Sequence, residues 1–138
     1  MATDLKTGYS GKPLYQKLGI KDDHKVLLID EPDAYRDWLE IPFDMRTIDD
    51  SGLADFVHVF AKEKELLKTY ITEAHKIIQQ NGMIWVSWPK KASKVATDVN
   101  EDVVREIALP MGLVDVKVCS VSSVWSGLKL MIRKENRK

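Results

Sequence analysis

Apolar residues recur along the chain in two different patterns, which predict alternating strands and helices. Short apolar runs bounded by turn residues predict buried strands at His24–Asp30, Asp55–Ala61 and Met83–Trp88. The strongest predicted helix covers Lys62–Gln80, where apolar residues share one face at a spacing of about 3.6 residues. We expect Asn81-Gly82 to end this helix, because a helix C-cap commonly requires a positive φ.

Weaker patterns fill the first part of the chain. A short helix is predicted to begin at Pro13 and to end at Gly19, and a second one begins at Pro32. Phe43–Asp49 alternates weakly between apolar and polar residues and is predicted to be an edge strand. A turn is predicted at Asp50-Ser51-Gly52.

The last third of the chain is predicted to hold one helix and two strands. Asp98, followed by Glu101 three residues later, resembles a helix N-cap box, and Gly112 closes the helix. Leu113–Val121 and Ser126–Lys134 are the last two predicted strands. Since only a few residues join them, they must be antiparallel neighbours, because a parallel pair needs a long crossover.

This order of elements predicts the fold class. Strands that alternate with amphipathic helices favour an α/β fold, here a three-layer α/β/α Rossmann-like sandwich. Its sheet is predicted to be mostly parallel, with a C-terminal antiparallel strand pair. We divide the chain into a flexible N-terminal arm over residues 1–11, in which Tyr9 is a candidate docking residue, a single domain over 12–134 and a frayed tail over 135–138.

Composition says more about the expected cellular location of the protein than about its function. The 138 residues are enough for one domain, and the formal net charge is zero, so no global basic field draws the chain to nucleic acid or an anionic membrane. The single cysteine, Cys119, excludes an internal disulfide and fits a reducing compartment. The first residues lack the apolar core of a signal peptide, and no apolar run is long enough to span a bilayer. We therefore expect a cytoplasmic protein without a membrane partner.

A basic loop is the candidate ligand site. Lys90, Lys91 and Lys94 follow a strand end, and ligands of open α/β sheets bind outside the carboxyl ends of the strands. These lysines would neutralise a phosphate or carboxylate, together with backbone N–H groups at the start of the next helix. The alternative is a solvated loop whose lysines pair with Asp98, Glu101 and Asp102.

Hydroxyl and aromatic side chains near the loop extend this candidate site. Trp85 and Trp88 should point to opposite faces of their strand, so that one packs in the core. Trp88 then either stacks on a ligand ring or joins the core as well, and Trp125 is placed in a turn at the sheet edge. The predicted ligand-binding residues are Trp88, Lys90, Lys91, Ser93, Lys94 and Thr97.

Signatures of catalysis and metal binding are absent from the sequence. His24, His58 and His75 have no second ligand at metal-site spacing, and Cys119 has no partner cysteine. The serines form no nucleophile elbow, and there is no phosphate-binding loop. No catalytic residue, metal or cofactor is therefore predicted. The acidic stretch with Glu31 and Asp33 either begins a helix or faces a cationic ligand or a protein partner.

The second half of the chain resembles a class I, Rossmann-like methyltransferase. Its "ADFVHVFAK" and "IIQQNGMIWVSWP" segments resemble the fourth and fifth strands of that fold, and "MGLVDVKVCSV" with "SGLKLMIRK" resembles its closing antiparallel pair. The first half departs from the pattern: "VLLIDEPDAY" has no glycine where binders of S-adenosylmethionine carry a glycine-rich turn. One β-α unit is also missing, and only Asp49 or Asp50 is available to hold ribose hydroxyls.

Longer motifs resemble a second family over nearly the whole chain. "GYSGKPLYQKLGI", "WPKKASKVATD", "EDVVRE", "GLVDVKVCSV" and "WSGLK" are similar to the small bacterial family called domain of unknown function 3052. This resemblance implies a Rossmann-like fold and a bacterial cytoplasmic setting, without an activity.

Two function classes follow as expectations. The first is a non-catalytic binding or regulatory module for an anionic small ligand or a protein partner at the carboxyl edge of the sheet. The alternative is an atypical transferase that uses S-adenosylmethionine or a nucleotide. A homodimer through the final strand, apolar over Leu128–Ile132, is a third expectation, although its lysines and arginine discourage edge pairing.

Overall fold

A computed structural model describes residues 12–49 and 52–138 as an α/β sandwich. The predicted arm over residues 1–11, with Tyr9, lies outside the described residues, as do Asp50 and Ser51 of the predicted turn. The strands, in chain order, are β1 Lys25–Ile29, β2 Arg46–Thr47, β3 Ala54–Phe60, β4 Ile78–Pro89, β5 Leu113–Ser120 and β6 Trp125–Ile132. The helices are α1 Leu14–Leu18, α2 Tyr35–Leu39, α3 Lys64–Ile77 and α4 Glu101–Ala108.

The six strands form one sheet in the order β2-β1-β3-β4-β6-β5. β1 pairs in parallel with β2 and β3, and β3 pairs in parallel with β4. β6 runs antiparallel to both of its neighbours, β4 and β5. The mostly parallel sheet with a C-terminal antiparallel pair is therefore confirmed, and the predicted edge strand is reduced to the two residues of β2.

Helices cover both faces of the sheet and define two core layers. Residues of α3 and α4 pack with one face, and residues of α1 and α2 pack with the other. Trp88 belongs to the first layer and Trp85 to the second, as their spacing along β4 predicts. Both layers are built from apolar side chains, and their removal from water supplies most of the driving force for folding.

The predicted end of the long helix is wrong. α3 ends at Ile77, and the chain passes directly into β4, so Gly82 lies inside a strand. Among the described glycines, Gly19 and Gly112 have positive φ and Gly82 does not. A Cβ atom at position 82 would lie 2.9 Å from the Ile78 side chain and 3.0 Å from the Asp55 carbonyl oxygen. Close packing, rather than a helix cap, explains this glycine.

The predicted cap of the fourth helix is also wrong. Asn100 is the N-cap of α4, and its side-chain oxygen accepts a hydrogen bond from the Val103 N–H at 2.9 Å. Asp98 instead accepts a hydrogen bond from the backbone N–H of Lys64, the first residue of α3, at 2.7 Å. It therefore satisfies a free donor of a helix that lies 34 residues earlier in the chain.

The final strand is not an edge of the sheet. β6 lies between β4 and β5, so the unpaired edges belong to β2 and β5, and Leu128–Ile132 is not available for edge pairing. Residues after β6 contact the domain: the Arg137 side chain donates to the Ile132 carbonyl and the Lys138 N–H donates to Gln80. No helix within residues 12–49 and 52–138 is long and apolar enough to cross a membrane.

Candidate functional site

A cavity of 630 Å³ opens where β1 and β3 end at the carboxyl edge of the sheet. The turn after β1 forms one wall, and the segment between β3 and α3 forms the other. Ligand sites of open α/β sheets lie at this edge. The residues that line the cavity are Asp30, Glu31, Pro32, Asp33, Phe60, Ala61, Lys62, Glu63, Leu66, Ala96 and Trp125.

The turn after β1 is acidic and has an unusual backbone at its first residue. Asp30 has a φ of 60°, in the left-handed region that glycine adopts most readily. The Tyr70 hydroxyl of α3 donates to Asp30 Oδ2 at 3.5 Å, and burial, followed by the charge of Asp30, raises the pKa of this tyrosine. A contact from α3 thus reaches the carboxylate of a lining residue.

The opposite wall is held by the loop that follows β4. Thr97 Oγ1 donates to the Lys62 carbonyl at 2.6 Å, and the Asp98 N–H donates to the same oxygen at 3.1 Å. Together with the bond from Lys64 N–H to Asp98, these contacts join the β3–α3 segment to the loop. Ala96 is thereby placed beside Lys62 in the cavity lining.

Two aromatic residues are among those that line the cavity. Phe60 is buried, and Trp125 is half-buried at the start of β6. Their ring centroids are 5.1 Å apart and their planes meet at 84°, an edge-to-face arrangement. Trp125 therefore belongs to a strand and to the cavity, and not to the turn in which the sequence placed it.

A chain of three buried polar side chains lies beneath these rings. The Tyr35 hydroxyl and His58 Nδ1 are 2.7 Å apart, and His58 Nε2 and Ser87 Oγ are also 2.7 Å apart. In a neutral imidazole one ring nitrogen donates and the other accepts, so both contacts can be satisfied at once. Burial lowers the pKa of His58 to about 3 and raises that of Tyr35 well above its usual value. The network is therefore uncharged at neutral pH.

The predicted ligand residues do not converge on the cavity. Trp88 is only 6% exposed and packs in the core. Ser93 Oγ donates to the Lys90 carbonyl, and Thr97 Oγ1 donates to Lys62, so both hydroxyls have partners within the protein. Lys90 Nζ donates to Ser120 Oγ at 2.6 Å.

Two lysines of the basic loop remain accessible. Lys91 and Lys94 are exposed, and their ammonium groups make no hydrogen bond or ion pair with the described residues. The anion-binding role of the loop stays a prediction. Phe60 and Trp125 line the cavity but were not among the predicted ligand residues. An aromatic residue at the end of a strand was a signal that could have indicated them. For Glu31 and Asp33, the sequence left a cationic ligand or a protein partner as the alternative to a helix start, and neither residue was among the predicted ligand residues.

Cys119 is a partly buried thiol in β5. Burial raises the pKa of the Cys119 thiol, so it stays protonated at neutral pH. Within the described part of the chain, no group of three or more His, Cys, Asp or Glu side chains is arranged to hold a metal ion.

The fold is similar to that of several solved methyltransferase structures. A ribosomal protein L11 methylase from Lactobacillus delbrueckii subsp. bulgaricus is similar with a TM-score of 0.55 and 11% identity, over 86% of this chain and 74% of that one. A SAM-dependent methyltransferase from Aquifex aeolicus gives 0.54 and 14%, over 87% and 88%. A methyltransferase from Pyrococcus furiosus gives 0.55 and 11%, over 84% and 78%.

The chain itself belongs to the family described as "Protein of unknown function (DUF3052)", which matches residues 17–134. The resemblance found in the sequence motifs is thus confirmed. A comparison with curated proteins gives no match. At such low identity, the similarity to the methyltransferase structures shows the fold alone.

Proposed function

We propose that this protein is a non-catalytic module that binds a small ligand in the cavity at the carboxyl edge of its sheet. The observation that carries the proposal is the cavity itself, which combines apolar and aromatic walls with a charged rim at the ligand position of this fold class. Its volume lies in the range that small-ligand sites occupy, about 300–1,000 Å³.

The lining supports binding better than chemistry. Over residues 12–49 and 52–138, the lining offers carboxylates, one ammonium group and apolar or aromatic side chains, but no hydroxyl, thiol or imidazole. The Ser87 and His58 side chains are fully buried. A nucleophile needs an activating base and access to its substrate, whereas His58 is a weak base with a pKa of about 3 and the buried Ser87 is not accessible.

A second candidate is an atypical transferase that uses S-adenosylmethionine or a nucleotide. Its support is the fold, which is shared with the methyltransferases named above. The turn after β1 weakens it, since Asp30, Glu31 and Pro32 stand where such enzymes carry glycines and Glu31 would repel the carboxylate of S-adenosylmethionine.

A third candidate places an anionic ligand or a protein partner at the basic loop. The observation in its favour is the pair of exposed lysines, Lys91 and Lys94, without partners among the described residues. Lys90 is less available, because its ammonium group is bound to Ser120.

One thermal-shift experiment separates these candidates. The panel holds organic amines, simple phosphates, nucleotides, acyl-CoA, S-adenosylmethionine and its demethylated product. A ligand at about a hundred times its dissociation constant adds roughly 2.7 kcal/mol of stability. Each compound is run against wild type, an Ala96→Trp variant that fills the cavity mouth, and a Lys90→Ala, Lys91→Ala, Lys94→Ala variant.

The matched control for the cavity variant is Ala92→Trp. Ala92 is exposed in the same loop but does not line the cavity. A shift that Ala96→Trp abolishes and Ala92→Trp retains supports the cavity. A rise in melting temperature with phosphate that is lost only in the triple lysine variant supports a ligand site at the basic loop instead. A cavity-dependent shift with S-adenosylmethionine, followed by methyl transfer to any acceptor, would replace the binding module by the transferase.

A further inference from the structure

The charges around the cavity identify the chemical class of its ligand. Among the described residues, four acidic side chains line it, Asp30, Glu31, Asp33 and Glu63, against one basic side chain, Lys62. Lys90, Lys91 and Lys94 are not among the lining residues, so acidic residues predominate at the described cavity wall. These acidic side chains would repel an anionic ligand and attract a cationic one.

The aromatic residues of the cavity lining give a second, independent indication. The half-buried Trp125 and the buried Phe60 line the cavity, as do the apolar residues Ala61 and Leu66. An aromatic face attracts a cation electrostatically, and Trp is the strongest of the aromatic side chains in this respect. The same surface also packs against a flat apolar body, which a small inorganic ion does not have.

A metal ion fits the site poorly. Hard cations require several oxygen ligands that converge at short distance. No group of three or more acidic, histidine or cysteine side chains in residues 12–49 and 52–138 is arranged in that way. The carboxylates are instead spread over both walls, from the turn after β1 to the start of α3.

We infer that the cavity binds an organic cation, an ammonium group carried on an aromatic or apolar body. The body packs against Trp125 and Phe60, and the positive group lies among the rim carboxylates. This inference rests on the proposed function, because it names the ligand class of the same cavity.

Three indole compounds of nearly equal size test the sign of the charge. Tryptamine is cationic at neutral pH, tryptophol is uncharged and indoleacetate is anionic. Calorimetry on the full chain should show that tryptamine binds about tenfold or more tightly than tryptophol, a difference of about 1.4 kcal/mol. Indoleacetate should bind more weakly still. Salt near 1 M, where the Debye length is about 3 Å, should weaken the binding of tryptamine and leave the binding of tryptophol unchanged.

Variants assign the effect to the cavity. A Glu31→Gln, Glu63→Gln variant should lose most of the preference for tryptamine over tryptophol. Glu65→Gln removes an exposed carboxylate of α3 that does not line the cavity, and it should retain the preference. Trp125→Leu should weaken the binding of all three compounds. Circular dichroism shows whether this variant stays folded.

The outcomes separate this inference from the proposed function. If indoleacetate binds as tightly as tryptamine and Ala96→Trp abolishes both, the cavity is a ligand site but the cationic class is wrong. If tryptamine binds and the double glutamine variant retains the full preference, the carboxylates do not select the ligand and the inference fails. If neither these compounds nor any compound of the wider panel gives a shift that depends on Ala96→Trp, both the inference and the proposed function fail.

Discussion

The imidazole of His58 is stacked on the ring of Phe60, with the ring centroids 4.3 Å apart and the planes inclined by 22°. Phe60 lines the cavity, whereas His58 is fully buried and bonded to Tyr35 and Ser87. The stack therefore connects a buried polar network to the wall of the candidate site. His58 is thus in direct contact with a residue that lines the cavity.

Acid should destabilise the protein through His58. Burial lowers the pKa of this histidine to about 3, compared with its usual 6.5. Between these values the unfolded chain binds a proton that the folded chain does not, so the free energy of unfolding decreases as pH falls through this window. From pH 6.5 to 4.5 we expect a loss of about 2 kcal/mol from this group, measured by urea unfolding at each pH.

Two substitutions identify the source of this slope. His58→Gln should lower stability at pH 7 and flatten the pH dependence between 6.5 and 4.5. His24→Gln changes a partly exposed histidine and should leave the slope in place. An unchanged slope in the His58 variant would assign the acid sensitivity to other groups.

Removing one end of the buried network should be costly. Ser87→Ala leaves His58 Nε2 without a partner in the core, and an unsatisfied buried polar group costs about 1–3 kcal/mol. Ser123→Ala, at an exposed serine, is the control and should stay within about 0.5 kcal/mol of wild type. Because Tyr35 and Ser87 bind the same ring, Tyr35→Phe and the double variant should give non-additive losses in urea unfolding. Additive losses would show that the two bonds act separately.

Local patterns in the sequence predicted the order of elements, and they did so because each pattern concerns neighbouring residues. The positive φ at Gly19 and Gly112 closes helical turns as expected. Asp98 and Gly82 were misread for a common reason: each matches a local motif, yet its actual partner lies far away in the chain. Lys64 is 34 residues from Asp98, and the Asp55 carbonyl lies beside position 82 only because β3 and β4 pair.

The sequence predicted at which edge of the sheet the candidate site lies, but not which residues line it. The carboxyl edge of the sheet follows from the order of strands and helices. The lysines after β4 were prominent in the sequence, whereas the cavity lies between the ends of β1 and β3. Which loop borders the cavity depends on the register of the strands and on the Thr97 and Asp98 contacts, none of which the sequence displays.

The contact between Asp98 and α3 should contribute to stability as a helix cap does. Asp98→Ala removes the acceptor of the Lys64 N–H, and we expect a loss of about 1 kcal/mol in urea unfolding. Asn100→Ala, at the N-cap of α4, should cost a similar amount. Asp23→Ala, at an exposed aspartate before β1, is the control. Equal stability of the Asp98 and Asp23 variants would mean that the distant cap contributes nothing.

Gly82 offers a direct test of why a glycine is present. A left-handed helix cap tolerates Asn better than Ala, because Asn adopts positive φ more readily. A position restricted by close packing should instead tolerate Ala better than the larger Asn. Since a Cβ atom at residue 82 would meet Ile78 at 2.9 Å and the Asp55 carbonyl at 3.0 Å, we expect Gly82→Ala to destabilise the protein, and Gly82→Asn to do so more strongly.

The expected cost of Gly82→Ala is about 1–3 kcal/mol, as for other overpacked positions, measured by urea unfolding. Gly52→Ala is the matched control, because nothing lies within 4 Å of a Cβ atom at that position. It should stay within about 0.5 kcal/mol of wild type. If Asn proves less costly than Ala at position 82, the glycine serves a turn conformation and the direct passage from α3 into β4 is incorrect. If Ala is less costly than Asn, the result supports the pairing of β4 with β3. This pairing also fixes the position of Phe60 in the cavity lining.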